Sequence, residues 1–489
     1  MMRRLPQTQP ISDHPPTRAQ VLSGRALWLS FAAATTGTFM VNLDSSVVNV
    51  ALPVMQHQFS LSIETLQWVI TAYLLVITAL LPVTGRLADA LGRRAIFLAG
   101  IATFVAGSLF SAMAPTFLML VLARGFQAVG GATIMANVMA IIALVFPVDK
   151  RGQALGLIGS VVAAGTLAGP PLGGILTAWL GWRSIFWINL PIGIWGLWGS
   201  WRYLPKFPPD AQPSLKSLDW VGAIWFMLLT SLLQFGLANW HRVWGVALLL
   251  LEVPAVFGFI RFEIPRPHPL IPMRLFRIRS FSNNLLSGMS YWALMMFPSF
   301  LLPFYLRYEL GLGVSLIGLS LVPQALSMVI VSPLGGRWVD HSGVLAPGRI
   351  GFGLLMLADA LFVVIGRHTP LWVIWLILVA VGAGAGLYST PNNSAVLSSV
   401  GPSDTGLASS LLATQRNLGR AVGVSLASIL LSLTWIIHGL SANPSHTSPH
   451  YPLWFFWGFR GAFAAALVIG VAGLTTLTAP DAPKKGVSQ

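Results

Sequence analysis

The chain has 489 residues, of which only 9% are charged and 55% are hydrophobic. A soluble protein of this length carries about a quarter charged residues, so the composition excludes a soluble globular protein. The net charge of +15 lies in short segments between apolar runs, which argues against nucleic-acid binding and for a lipid bilayer around the chain. Because cysteine is absent, disulfides and thiolate metal sites are excluded. We also expect neither a metal nor a cofactor.

Apolar runs of about 20 residues, the length that crosses ~30 Å of hydrocarbon, fill most of the chain and must be helical in lipid. Residues 1–25 are polar and basic and lack the apolar core of a signal peptide, so we expect a disordered cytoplasmic tail. Residues 479–489 are expected to form a second cytoplasmic tail. Between the tails we predict about fourteen spans: 26–54, 66–85, 95–113, 116–145, 153–178, 184–203, 218–240, 243–262, 284–306, 313–335, 347–366, 370–390, 405–436 and 455–478.

A motif of the form Gly-Arg-x-x-Asp-x-x-Gly occurs at residues 85–92, after the second span, and again at 336–343, after the tenth. A charged turn at the same place in two apolar halves predicts a duplicated membrane unit. We therefore expect repeating halves at 26–205 and 284–478, with two inserted helices and their cytoplasmic connectors at 206–283. Most of the 29 Lys and Arg residues then fall on one side, which predicts that both termini are cytoplasmic.

Two charged residues inside spans of the first half predict a proton-coupling pair. Asp44 lies past the middle of the first span, where an unpaired carboxylate costs several kcal/mol. Arg124 lies at a similar depth in the fourth span, because the two helices run in opposite directions. A nearby cation would help to release a proton from Asp44. The alternatives are a fixed polar contact for Asp44 and backbone hydrogen bonds for Arg124.

Four segments resemble, in this order, the motifs of the major facilitator superfamily, in its fourteen-helix drug:proton antiporter branch (EmrB/QacA-like multidrug exporters). They are Leu43–Pro53, Gly85–Arg94, Leu122–Gly131 and Gly165–Gly174. The resemblance implies an all-helical protein of a bacterial cytoplasmic (inner) membrane. Two six-helix bundles would surround a central cavity that opens alternately to either side.

The resemblance also implies two gating elements. The cytoplasmic gate would consist of Gly85, Arg86, Asp89, Gly92, Arg93 and Arg94, which would contact span 13, and of Asp340 in the second copy. The alternative for the arginines is that they only satisfy the positive-inside rule. The fifth helix would seal the cavity against leak through Gly165, Gly169, Pro170, Pro171, Gly173 and Gly174. Its small residues, four apart, let helices approach closely, and close packing without gating is the alternative.

Polar and aromatic residues within spans are candidates for the wall of a substrate cavity: Asn49, Gln127, Tyr291, Trp292, Phe297, Asn392, Asn393, Arg416 and Arg420. The family usually has a small residue in place of Arg420. If Arg416 and Arg420 both line the cavity, the charge balance with Arg124 disfavours dicationic drugs and favours neutral or anionic amphiphiles. Alternatively, Arg420 faces Asp359 or Glu252, the other acidic residues within spans.

Together these features predict a secondary transporter, working as a monomer, that exports amphipathic organic compounds in exchange for protons. One alternative is a proton symporter that imports an organic acid. Another is an integral membrane enzyme, although no nucleophile, acid/base pair or ligand set clusters in the sequence. His438, His446 and His450 are irregularly spaced, which favours a flexible outer loop over a metal site. A periplasmic adaptor and an outer-membrane channel remain open as partners.

Overall fold

The computed structural model describes residues 24–147, 151–206, 219–266, 269–401, 404–441 and 450–479, and helices are its only regular secondary structure. The two expected tails fall almost entirely outside these ranges, as does His446. The α-helices are α1 Gly24–Phe59, α2 Ile63–Leu66, α3 Trp68–Leu91, α4 Arg93–Met113, α5 Phe117–Val145, α6 Arg151–Leu180, α7 Ser184–Trp187, α8 Asn189–Tyr203, α9 Trp220–Ala238, α10 Val243–Glu263, α11 Arg279–Tyr308, α12 Val314–Ser320, α13 Val322–Ser342, α14 Leu345–Val364, α15 Leu371–Ser398, α16 Thr405–Ile437 and α17 Tyr451–Thr475.

Thirteen helical segments of the described chain are long and apolar enough to cross a membrane. They coincide with thirteen of the predicted spans, two of which consist of consecutive helices (α2 with α3, and α12 with α13). The sixth predicted span, 184–203, is likewise divided into α7 and α8 at Ile188. Pro191 explains this break, because its ring nitrogen cannot donate a hydrogen bond to the carbonyl of Trp187. Ile188 keeps helical backbone angles, with φ −61° and ψ −26°, and the sixth span stays a prediction. Large apolar side chains such as Trp179 and Trp195 are exposed on the outer faces of these helices, as expected for contact with lipid.

The two halves of the chain repeat one packing pattern. In the first half α1 packs on α6, and α5 packs on α3 and α4. In the second half α11 packs on α16, and α15 packs on α13 and α14. Contacts of α3 with α16, and of α6 with α12 and α13, join the halves around a central space.

The inserted helices lie beside this assembly. α9 and α10 pack on each other, and α9 also contacts α3 and α16, whereas α10 is largely exposed. The connector that follows α10, residues 264–278, contains a short 3₁₀ helix at Leu275–Arg277. Gln56 and Tyr308, near the ends of α1 and α11, share a side-chain hydrogen bond at one end of the molecule. We call this the outer end, following the orientation expected from the charges, and the opposite end the inner end.

Candidate functional site

A buried ion pair lies at the centre of the first half. Asp44 of α1 and Arg124 of α5 are almost fully buried, and the Nη1 atom of Arg124 lies 2.6 Å from the Oδ2 atom of Asp44. The two residues thus meet directly, as the depth argument predicted. A buried pair of this kind is stable only when further hydrogen bonds satisfy its remaining atoms, since desolvation of each charge costs several kcal/mol.

Amide side chains supply those further hydrogen bonds. The Nε2 atom of Gln127 and the Nδ2 atom of Asn189 donate to the Oδ1 atom of Asp44, over 2.9 and 2.8 Å. Both amides also donate to the hydroxyl oxygen of Ser108, and Gln127 accepts a 2.6 Å hydrogen bond from Arg124. Asp44 therefore accepts three hydrogen bonds from side chains of two helices, α5 and α8, so both of its carboxylate oxygens have donors.

Arg124 links this network to the central space. Its Nε atom donates to the carbonyl of Val69, and its guanidinium carbon lies 4.1 Å from the ring centre of Tyr73. Both Tyr73 and Arg124 also line the cavity between the halves. A change in the charge of Asp44 therefore alters the partner of a residue on the cavity wall.

The cavity encloses about 1020 Å³ of empty space, including the part open to solvent. Residues of both halves line it: Asn42, Ser45, Ser46, Val48, Asn49, Ile70, Tyr73, Leu74, Arg124, Thr166, Pro170, Trp292, Met295, Met296, Ser299, Leu321, Gln324, Ala325, Met328 and Arg420. Three of the predicted cavity residues, Asn49, Trp292 and Arg420, are on this wall. The wall is mostly apolar, with amides, hydroxyls and two guanidiniums placed among the apolar groups.

The other predicted cavity residues lie elsewhere. Gln127 belongs to the Asp44 network, and Asn393 is exposed at the inner end of α15. Tyr291 stacks on the ring of Tyr388 at 4.0 Å, within the second half. These placements correct the expectation that all such residues would line the cavity.

Helical periodicity explains the correction on α11. Trp292, Met295, Met296 and Ser299 share one helix face, which is the face on the cavity. Tyr291 and Phe297 point away from that face, and Phe297 packs against Phe463 of α17. Asn392 accepts a hydrogen bond from Tyr388 and is buried in the same region.

Arg416 and Arg420 both approach the ring of Trp292. Their guanidinium carbons lie 6.0 and 4.7 Å from its ring centre. Within the described residues neither forms an ion pair with Asp359 or Glu252, so the alternative of a structural partner for Arg420 is not observed. Arg420 reaches the cavity wall, and Arg416 lies one helical turn nearer the inner end.

The glycines of the fifth-helix motif face two neighbours. A β-carbon at Gly165 would lie 2.7 Å from the carbonyl of Phe39, and one at Gly173 would lie 2.8 Å from the carbonyl of Val47. Gly169 likewise adjoins Ser46, so these three glycines allow close contact with α1. Pro170 and Pro171 lie within the same helix, α6.

Gly174 faces the second half instead. A β-carbon there would lie 2.8 Å from the carbonyl of Val314, and one at Gly318 would collide with the carbonyl of Pro170. The motif thus forms a close joint between α6 and α12 at the outer side of the cavity.

Arg86, near the end of α3, contacts the connector between the inserted helices and α11. The Nη2 atom of Arg86 donates to the carbonyl of Pro269 in the connector over 2.7 Å. Arg274 of the connector holds Asp404, next to α16, through two hydrogen bonds of 2.7 and 2.9 Å. Arg86 therefore reaches span 13 through the connector, a link that the sequence did not indicate.

The remaining gate residues lie in or beside the turns between α3 and α4 and between α13 and α14. Gly92 and Gly343 both have positive φ angles, 97° and 75°, which favour glycine at these two turns. Arg94 donates to the carbonyl of Trp201, and Gly85 lies near Ala136. Arg93 begins α4. The side chains of Asp89 and Asp340 fall outside the part of the chain that the structure describes.

Sequence reasoning missed three members of the Asp44 site. Asn189 could have been recognised from the sequence, because an amide inside an apolar run needs a buried hydrogen-bond partner. Ser108 and Tyr73 could not, since single hydroxyl residues are common in membrane helices.

Comparisons with known proteins agree with this architecture. The family model described as Major Facilitator Superfamily matches residues 34–424. The chain is 32% identical over 429 residues to the riboflavin transporter RibZ of Clostridioides difficile, which covers 86% of this chain and 92% of the relative. It is 29% identical over 431 residues to the multidrug resistance protein Stp of Mycobacterium tuberculosis, covering 87% and 79%.

A similar fold occurs among solved structures. The inward-facing, occupied structure of a bacterial homologue of the human lysosomal transporter Spinster superposes with a TM-score of 0.69. It covers 93% of this chain and 97% of that chain, at 16% sequence identity. At this identity the likeness concerns the fold alone.

Proposed function

Because the chain belongs to the major facilitator superfamily, and is a multi-pass membrane protein, we propose that it exports amphipathic organic compounds in exchange for protons. It does so in the bacterial cytoplasmic membrane, as a member of the fourteen-helix drug:proton antiporter branch. The proposed unit is a monomer with both termini in the cytoplasm. Its six-helix bundles are residues 26–205 and 284–478, and residues 206–283 supply the inserted helices.

The buried Asp44–Arg124 pair beside the cavity is the observation that carries this proposal. Protonation of Asp44 removes its charge and weakens its hydrogen bonds from Arg124, Gln127 and Asn189. Arg124 is then left as a buried cation on the cavity wall, and a conformation in which water reaches it from the inner end becomes more favourable. The proton and the substrate are thereby coupled through one side chain.

The joint between α6 and α12 supports antiport. Gly174 and Gly318 bring the two helices into backbone contact at the outer side of the cavity. Such a contact closes the outer path while the cavity is reached from the inner end, which limits proton leak between transport events. Opening of the joint lets the cargo leave and lets a proton from the outer side reach Asp44, and the protonated carrier then closes the joint again and releases the proton at the inner end.

The cargo of the relatives does not decide the direction of transport. One relative is named a riboflavin transporter and another a multidrug resistance protein. Both names are compatible with an amphipathic, ring-containing cargo in a largely apolar cavity. We base the proposal of export on the α6–α12 joint and on the Asp44–Arg124 pair.

Reconstitution into liposomes with an imposed pH gradient tests the proposed function. We expect an outward-directed proton gradient to drive accumulation of amphipathic probes inside the vesicles, because protons leaving through the carrier exchange for substrate entering. Liposomes without protein and liposomes at equal pH are the controls. Accumulation only under an inward-directed proton gradient would show symport and would overturn the assignment.

A further inference from the structure

Two unpaired cations lie within the membrane-spanning part of α16. Arg416 and Arg420 are four residues apart, so they occupy one helix face. In the described part of the chain, no ion pair or hydrogen bond involves either guanidinium, and their contacts are with the ring of Trp292. Each guanidinium carries five N–H donors and remains charged in proteins, so both need an acceptor or water.

The surrounding residues supply no counter-charge. No acidic side chain is among the cavity-lining residues that the structure describes. Asp44, which is buried behind Arg124 of the cavity wall, already accepts hydrogen bonds from Arg124, Gln127 and Asn189. A second carboxylate, Asp359, is buried in α14 and forms no ion pair with either arginine within the described ranges. The cavity therefore has an excess of positive charge on the side of the second half.

The surface next to these arginines suits an aromatic body. Trp292, Met295 and Met296 lie on the cavity face of α11, and Ile70 and Leu74 of α3 also line the cavity. The flexible methionine side chain adapts to rings of different shape, and contacts of an aromatic ring with sulfur and with indole are energetically favourable. On the α1 wall, the Oδ1 atom of Asn49 is buried without a hydrogen-bond partner.

We propose that Arg416 and Arg420 form a binding site for the anionic group of an aromatic organic anion, whose body lies against Trp292, Met295 and Met296. This site rests on the proposed transport function and names its substrate class. Two oxygens of a carboxylate or sulfonate can accept hydrogen bonds from the paired N–H groups of one guanidinium, in a bidentate arrangement. The bound anion supplies the missing negative charge while leaving the Asp44–Arg124 pair intact.

Binding of three probes with one ring system tests this site: 2-naphthoate, 2-naphthamide and 2-naphthylmethylammonium. Equilibrium dialysis against the full chain in lipid nanodiscs, corrected with empty nanodiscs, measures their affinities. We expect 2-naphthoate to bind at least about 10-fold more tightly than 2-naphthamide, and the ammonium probe to bind most weakly. Equal affinity for the anion and the amide, or preference for the ammonium probe, would overturn the proposal.

Substitutions then locate the preference. In the double variant Arg416→Gln/Arg420→Gln we expect the anion preference to disappear, whereas Arg349→Gln, an exposed arginine at the inner end of α14, should keep it. The double variant Arg416→Lys/Arg420→Lys keeps both charges and should retain part of the preference. It also provides a test if the glutamine variant does not fold. Loss of the preference in the lysine variant, or its persistence in a folded glutamine variant, would contradict the site.

Chloride provides a further control. If 100 mM chloride in place of gluconate abolished the preference for 2-naphthoate, the arginines would hold small inorganic anions and the proposal would fail. The dialysis needs no proton gradient, so a failure of proton coupling leaves its result intact. Conversely, the glutamine variant could lose the preference for anions and still transport neutral probes in response to a pH gradient. That result would show that antiport does not depend on this site.

Discussion

Asp44 and the polar side chains around it form a compact unit in which protonation can change helix contacts. Its carboxylate accepts from α5 through Arg124 and Gln127, and from α8 through Asn189. Each hydrogen bond to a charged group is worth about 1.5–3 kcal/mol. Because one proton weakens all three, a single protonation event can shift a conformational equilibrium by the several kcal/mol that switching requires.

Replacing Asn189 with leucine is predicted to shift the pH dependence of transport. The variant removes one of the three hydrogen bonds that the carboxylate of Asp44 accepts, so fewer contacts are weakened when the proton binds. The initial rate of exchange, measured as a function of pH in proteoliposomes, should move its half-maximal point toward alkaline pH. Asn239→Leu, which changes an amide between α9 and α10, is the matched control. An unchanged profile in Asn189→Leu would count against the role of the network.

At the residue scale, the sequence predicts charged residues better than their neutral partners. Asp44 and Arg124 could be identified because isolated charges in apolar spans are costly and rare. Gln127 was recognised as a site residue, but its contact with Asp44 depends on the rotation of α5, which the sequence does not determine. Ser108 could not be distinguished from the other hydroxyl residues of the spans.

At the scale of elements, the α6–α12 joint is the contact to which the proposed transport cycle assigns closure of the outer side. Its closeness depends on glycines on both sides, since a β-carbon at Gly318 would collide with the carbonyl of Pro170. Backbone carbonyls cannot move away as a flexible side chain could. Overpacking of this kind costs about 1–3 kcal/mol.

Replacing Gly318 with alanine is therefore predicted to loosen the joint and to increase proton leak. The rate at which an imposed pH gradient decays in proteoliposomes, without substrate, should rise severalfold over the wild-type protein. Gly353→Ala is the control, because a β-carbon there meets no atom within 4 Å. A leak equal to wild type in a folded Gly318→Ala protein would show that the joint packs without sealing.

The positions of the long helices could be predicted from the sequence. The interruption before Pro191 and the path of the connector could not. Thirteen apolar runs became long helices because lipid forces their backbone groups to pair internally. The run at 184–203 is long enough to span a membrane, but it is divided into two helices just before Pro191. Hydropathy does not detect this division, because it is averaged over the whole run. The contact of Arg86 with the connector was not predictable, because connector residues carry no periodicity that fixes their path.

At the scale of the whole molecule, the repeated motif and the repeated packing describe one duplicated architecture. The order of helix contacts in α1–α8 recurs in α11–α17, and α9 and α10 stand outside it. The equivalent helices differ in chemistry, however. The Asp44–Arg124 pair lies in the first half, whereas Arg416 and Arg420, which form no ion pair among the described residues, lie in the second.

The absence of cysteine makes the orientation of this architecture testable. Single cysteines at Gly313, between α11 and α12, and at Ser399, after α15, are predicted to lie on opposite sides of the membrane. In whole cells a membrane-impermeant maleimide should label Gly313→Cys, and should label Ser399→Cys only after permeabilisation. The reverse pattern would show that the termini face outward.

The central claim is that Asp44 couples the proton gradient to transport. It is tested most directly with Asp44→Asn in proteoliposomes, where substrate accumulation driven by a pH gradient and downhill substrate efflux at equal pH are measured on the same preparation. The account predicts that Asp44→Asn loses gradient-driven accumulation but retains downhill efflux, and that Glu252→Gln, an acidic residue on α10 away from the cavity, keeps both. Undiminished gradient-driven accumulation in Asp44→Asn would contradict it.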